Sequence, residues 1–128
     1  MKILGINGCL NENQHNTSAC LIIDGKIICE YEEERLNKIK YSQKFPYLSV
    51  EKCLLENGLT IDDIDIIAPS FREEDFYKLF PNCKKKPKWV FHSHHMGHIC
   101  ESFYKSGFDS AVCLVIDGCG DCNDSITI

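Results

Sequence analysis

Four of the chain's five histidines, His92, His94, His95 and His98, fall within seven residues, and Asp117 follows at the end of the apolar run Ala111-Val112-Cys113-Leu114-Val115-Ile116. On an α-helix, residues four apart stand one turn above each other, so His94 and His98 can aim two imidazoles at one point while His95 points off that face. A carboxylate at the carboxyl end of a neighbouring strand adds a hard third donor and leaves positions open for a substrate or for groups from elsewhere. The chemistry this set suggests is metal-assisted substrate binding. Imidazole and carboxylate together suit iron, zinc or manganese, so the donor types do not select the metal. A plainer reading is that these are exposed polar histidines at a helix start and a turn-forming Asp-Gly pair. The spacing alone leaves both open.

The elements that must position these residues follow from the pattern of the chain. Residues 2 to 7 read as a short apolar strand ending in Asn7-Gly8, followed by a polar loop over 11 to 16 and a second strand over 18 to 23. Asp24-Gly25 is a two-residue hairpin signal, and residues 26 to 31 return as the third strand of an antiparallel meander. A helix is expected from the capping residue Ser49, with Val50, Cys53, Leu54 and Leu55 on its apolar side and Asn57-Gly58 as its stop. Residues 64 to 68 then read as a buried strand, 69 to 86 as irregular or partly helical, and 88 to 91 as a short strand. The histidines sit on the first turns of a helix over 93 to 105, stopped by Gly107, and a strand over 111 to 116 leads to Asp117. Three antiparallel strands, a helix, a parallel strand and a further helix is the order of a ribonuclease-H-like α/β domain.

Composition excludes several classes of function. An apolar content of 44% is enough for a real core, and a formal charge of −5 argues against nucleic acid or an anionic membrane as the main partner. Lys84-Lys85-Lys86 reads as a solvated loop. No apolar stretch approaches the ~20 residues a bilayer requires, and the opening residues are too short and strand-like for a signal peptide, so a cytoplasmic protein is expected. The nine cysteines are odd in number and mostly sit in apolar runs, which favours free thiols, with Cys20, Cys29, Cys53 and Cys113 as packing residues. Cys119 and Cys122 have the gap of a redox or metal pair, but no second pair and no helix pattern accompany them.

Leu4-Gly5-Ile6-Asn7-Gly8 is echoed by Leu114-Val115-Ile116-Asp117-Gly118, each a strand running into a glycine turn. Duplicated units of this kind build the actin, sugar-kinase and heat-shock ATPase fold, in which ligand lies between two halves. On that reading residues 1–109 are the first subdomain and 110–128 open the second.

The stations Ile3-Leu4-Gly5-Ile6-Asn7, His15-Asn16-Thr17-Ser18-Ala19, Glu32 to Lys40 with Phe45-Pro46, Asp62-Asp63-Ile64-Asp65, His94-His95-Met96-Gly97-His98 and Asp117-Gly118-Cys119-Gly120 run through the chain in order. In their order and spacing they resemble the carbamoyltransferases typified by nodulation protein U and the cephalosporin and tobramycin O-carbamoyltransferases. The tRNA threonylcarbamoyltransferase subunits are similar at the histidine motif only. The resemblance implies an actin-like domain that binds carbamoyl-adenylate, made elsewhere in the full-length family from carbamoyl phosphate and ATP, and passes the carbamoyl group to an acceptor hydroxyl. It implies that His94, His98 and Asp117 hold a divalent metal, Fe(2+) foremost with Zn(2+) or Mn(2+) as alternatives. It makes His15 the general base at the acceptor hydroxyl, a step suited to neutral imidazole.

By the same resemblance Arg35, Lys38 and Lys40, with the glycine turn at Gly118 and Gly120, bind the substrate. The basic residues read equally as exposed charges balancing Glu32 to Glu34. Asn16 stands where the family has an aspartate, and Lys38 and Tyr41 where it has arginine and histidine. Family members also carry a further metal-ligating aspartate, the rest of the second half and an adenylate-forming domain, so residues 1 to 128 alone are expected to be a fragment without turnover and to self-associate through an open sheet edge. The competing expectations are a stand-alone metal-binding or assembly module without catalysis, a tRNA threonylcarbamoyltransferase-like protein, and a small redox protein using Cys119 and Cys122.

Overall fold

Alternating burial along the first strand sets the core. In β1, Lys2–Asn7, Leu4 and Ile6 are buried while their neighbours are at most half-buried, which is the period-two pattern of a strand covered on one face. The structure, a computed structural model, describes residues 1–8, 16–43, 45–70, 73–118 and 125–128, the side chains of 73–75 excepted. The chain divides into two compact units, Met1–Phe91 and His92–Ile128.

The first unit is a mixed α/β unit with a five-stranded sheet. Antiparallel to β1 runs β2, Ser18–Ile23, and antiparallel to β2 runs β3, Lys26–Glu32. The turn joining them is the expected Asp24-Gly25, with φ of 49° and 78°, the two positive angles of a type I′ hairpin. On the other side of β1 lie β4, Ile66–Pro69, and then β5, Lys88–Trp89, both parallel. The sheet order is β3-β2-β1-β4-β5. One row of cross-strand partners, Cys29, Leu21, Leu4, Ile67 and Trp89, therefore traverses all five strands on one face. Leu4, Leu21 and Ile67 in that row are fully buried.

Helices cover the row. A short helix not foreseen in the sequence, α1, Glu33–Asn37, continues directly from β3, and α2, Tyr47–Leu55, buries Val50, Cys53 and Leu54 against the sheet. A third helix, α3, Glu73–Leu79, falls in the stretch whose register the sequence left open, and it carries Phe76 to within 5.0 Å of Trp89, ring to ring.

The start of α2 corrects the sequence reading. Ser49 is not its cap: Pro46, three residues earlier, holds the cap position without a side-chain bond, and Ser49 is buried in the first turn. The capping acceptor comes from α1. Glu33, itself buried, accepts the backbone N–H of Leu48 at 3.3 Å, the N–H of Ser49 at 2.9 Å and the Ser49 hydroxyl at 2.8 Å. A carboxylate at a helix amino terminus meets both the unpaired amides and the positive end of the dipole.

The second unit consists of α4, His94–Ser106, and an antiparallel pair formed by β6, Val115–Ile116, and β7, Ile126–Thr127. The expected strand over 111 to 116 is shorter in the structure. Only its last two residues find ladder partners, opposite Thr127 and Ile126. Among the described residues no helix is long and apolar enough to cross a membrane.

Candidate metal centre

The histidine helix is delimited at both ends by local chemistry. Ser93 caps it, its hydroxyl accepting the Met96 N–H at 3.2 Å, and Gly107 ends it in the left-handed conformation at φ 74°. The cap fixes where the helix starts, and so places His94 and His98 one turn apart on the same face.

Their rings meet edge to face with centroids 4.6 Å apart and the two Nε2 atoms 3.0 Å apart. Asp117, in the residue after β6, brings Oδ2 to 2.6 Å from His94 Nε2 and to 3.6 Å from His98 Nε2. Its other oxygen, Oδ1, accepts the Gly118 N–H at 2.6 Å, and its own backbone N–H donates to Ser125 O at 2.9 Å. The carboxylate is thus oriented from behind while Oδ2 faces the imidazoles. The hydrogen bond to His94 holds the Asp117 carboxyl below the usual aspartate range, and the Gly118 N–H adds to the effect.

Three donor atoms 2.6, 3.0 and 3.6 Å apart can share one cation. With metal–donor bonds of about 2.1 Å, adjacent ligand atoms lie about 3.0 Å apart around an octahedron and about 3.4 Å apart around a tetrahedron, so the triangle fits either with small adjustment. Two imidazoles and one carboxylate form a donor set that suits iron(II), zinc or manganese. The three side chains are 44%, 48% and 31% exposed, so the face opposite them is open to a ligand. Among the described residues this is the one group of three potential ligands that converges.

His95 leaves this face, as its spacing requires, but it is not idle. It is buried, and its Nδ1 lies 2.6 Å from the Thr127 hydroxyl on β7. No sequence signal announces that contact, because Thr127 is 32 residues away in an element of two residues.

The remaining expected site residues fall elsewhere. Arg35, Lys38 and Lys40 belong to the first unit, and all three are exposed. Arg35 pairs with Glu32 at 3.0 Å and Glu34 at 3.8 Å, Lys38 ends α1 in the left-handed conformation, and the Lys40 ammonium lies over the Tyr41 ring at 5.0 Å. At Gly118 a Cβ would meet no atom of the described residues within 4 Å. His15, Gly120, Cys119 and Cys122 lie outside the described residues. Of the packing cysteines, Cys53 is fully buried and its thiol is pushed up by that burial, whereas Cys29 and Cys113 are half-buried free thiols.

A groove of about 460 Å³ opens beside the triad within the second unit, walled by Phe103, Phe108, Val112 and Leu114 and reaching His98 and Asp117.

The chain is similar to nodulation protein NolNO of Sinorhizobium fredii, with 32% identity over 139 residues that cover 87% of this chain and 20% of that protein. An uncharacterized Synechocystis protein, sll1178, is 27% identical over 93% of this chain and 26% of its own length. An uncharacterized Rhizobium etli protein is 43% identical over 58 residues, 45% of this chain and 34% of that protein. The chain therefore spans about a fifth to a third of these relatives. Among solved structures, YeaZ from Pseudomonas aeruginosa is similar with a TM-score of 0.46 and 12% identity, over 83% of this chain and 49% of that one. No protein-family profile matches the chain.

Proposed function

We propose that residues 1–128 form the metal-binding amino-terminal part of an O-carbamoyltransferase, a ribonuclease-H-like first half joined to the opening strands of a second. The observation that carries this reading is the convergence of His94 Nε2, His98 Nε2 and Asp117 Oδ2 on one exposed point. The sheet order with two antiparallel and two parallel pairings supports the fold assignment. Similarity to NolNO along most of the chain supports the line of descent. In this reading the subdomain boundary lies at 109/110, and the protein is cytoplasmic.

His94, His98 and Asp117 would hold a divalent metal, iron(II) first and zinc(II) or manganese(II) next. Bound there, the ion would supply positive charge to a phosphate oxygen of carbamoyl-adenylate. Asp117 presents Oδ2 because Gly118 and Ser125 fix the rest of the residue, and the two imidazoles offer Nε2. His15 would accept the proton of the acceptor hydroxyl as that oxygen attacks the carbamoyl carbon and adenylate leaves. Arg35, Lys38, Lys40, Gly118 and Gly120 belong to the substrate side of the proposal. Self-association through the backbone of 111 to 114, which stands outside the ladder, belongs to it as well, and would show as concentration-dependent sedimentation.

Anaerobic calorimetric titration of the chain with iron(II), and aerobic titration with zinc(II), tests the reading. One equivalent should bind, and binding should vanish in the double variant His94→Ala, His98→Ala. Unchanged binding in that variant would remove the metal assignment. Supplying preformed carbamoyl-adenylate and a polyol acceptor then tests the reaction: the longer homologous protein should transfer the carbamoyl group, and residues 1–128 alone should not.

A further inference from the structure

We infer that His95 and Thr127 are positioning residues for the metal centre, a pair that holds the Asp117 carboxylate against the two ligand histidines; this rests on the metal reading above. The connections form a closed circuit. His94, at the first position of α4, contacts Asp117 Oδ2 at 2.6 Å. Its sequence neighbour His95 contacts the Thr127 hydroxyl at 2.6 Å from another side of the same helix turn. Thr127 lies opposite Val115, and Ile126 opposite Ile116, in the two-residue ladder of β6 and β7. The Asp117 N–H then closes the circuit on Ser125 O at 2.9 Å.

The circuit matters because packing does little to fasten Asp117. Residues 111 to 114 stand outside the ladder, and Val112, Leu114 and Ile116 are exposed, so burial holds this segment at a single residue. Val115 is the buried residue of the strand. Two side-chain bridges from successive residues of one helix, His94 to Asp117 and His95 to Thr127, therefore clamp the two strands of the hairpin to the same turn. Displacement of the carboxylate by about 1 Å would already take a donor out of bonding range, given a tolerance of about 0.2 Å on metal–ligand distances.

The histidine chemistry is consistent with a bridge rather than a ligand. His95 Nε2 is buried and has no hydrogen-bond partner among the described residues. With the proton on Nδ1, donated to Thr127 Oγ1, the atom left without a partner is a lone pair and not an N–H, which is the less costly of the two to bury. Nδ1 is then the ring atom that makes the connection, and it makes it to β7.

Thr127 is the position to vary, because His95→Ala risks the fold of the second unit. Thr127→Val keeps the shape and deletes the hydroxyl; Thr127→Ser keeps the hydroxyl and deletes the methyl group. In the 128-residue chain, Thr127→Val should weaken cobalt(II) or zinc(II) binding by about tenfold to a hundredfold, the usual consequence of losing a group that orients a ligand. It should also alter the cobalt(II) d–d spectrum, and Thr127→Ser should restore both. Long-range ¹H–¹⁵N spectra of the histidine rings give a readout without metal: the His94 ring nitrogens should shift in Thr127→Val and return in Thr127→Ser. Unchanged His94 resonances and unchanged affinity in Thr127→Val would overturn the inference. Shifted resonances in a chain that takes up no metal would uphold the clamp and defeat the metal reading instead.

Discussion

Three adjacent glutamates meet three different fates. Glu32 is exposed and pairs with Arg35, and Glu34 accepts the Tyr41 N–H at 2.9 Å. Glu33 is buried beside them with three donors on its carboxylate. Deleting a buried acceptor leaves its donors unpaired as well as losing the bond, at a cost of about 2–3 kcal/mol where the acceptor is charged. Glu33→Ala should therefore lower stability by about that amount in urea unfolding followed by circular dichroism, while Glu32→Ala should leave the midpoint unchanged within error. Equal effects at both positions would show that Glu33 is not the cap of α2. The sequence presents all three as one charge run, because the donors that single out Glu33 sit 15 and 16 residues away. The convergence of His94, His98 and Asp117 was legible for the opposite reason: two of the three lie at helix spacing, and the third ends an apolar run.

At the scale of elements, the parts whose partners are local were readable. The Asp24-Gly25 hairpin, the first three strands and the capped helix carrying the histidines all follow from residues within one turn or one ladder of each other. The parts that depend on distant partners were not, among them the true start of α2 and the shortening of the strand over 111 to 116. Gly8 shows both sides. Its place after β1 was read as a glycine turn, yet what requires glycine there is Pro46, far along the chain. A Cβ on Gly8 would stand 2.7 Å from Pro46 Cδ and 3.1 Å from Thr17 Cγ2, and φ is +146°. The Gly8 N–H also donates to the Ser70 hydroxyl at 2.9 Å, tying the ends of β1 and β4. Gly8→Ala should cost about 1–3 kcal/mol from the backbone conformation alone, measured as a lowered thermal midpoint. Gly118, its counterpart in the sequence echo, has no atom of the described residues within 4 Å of the added Cβ and should tolerate the same change with little loss of stability.

At the scale of the whole molecule, the excess acidity of the chain is partly organised into supports for the first unit. Asp62 accepts the backbone N–H groups of Lys84 and Lys85 at 2.7 and 3.0 Å, and Asp63 closes a capping box with Thr60. Asp65 joins the Lys2 N–H at 2.8 Å and the Lys85 ammonium at 2.7 Å. All three carboxyls are held below the ordinary aspartate range: Asp62 by the Lys85 and Lys84 amides, Asp63 by the Thr60 amide and hydroxyl, and Asp65, brought to about 2, by the Lys85 ammonium and the Lys2 amide. A carboxyl whose value is lower in the folded state stabilises that state above its unfolded value, about 3.9, and the contribution is lost as the pH falls through the folded value. Acid should therefore weaken the first unit progressively from about pH 4 downward, with the Asp65 share persisting until about pH 2. Trp89, the single tryptophan of the chain, sits in that unit against Phe76 and reports its unfolding by fluorescence. Asp65→Asn should lower the urea midpoint at about pH 6 and flatten its fall between about pH 4 and pH 2, because the variant has no proton to take up there. A variant curve running parallel to the wild type through that window would show that the Lys85 and Lys2 contacts do not support the fold.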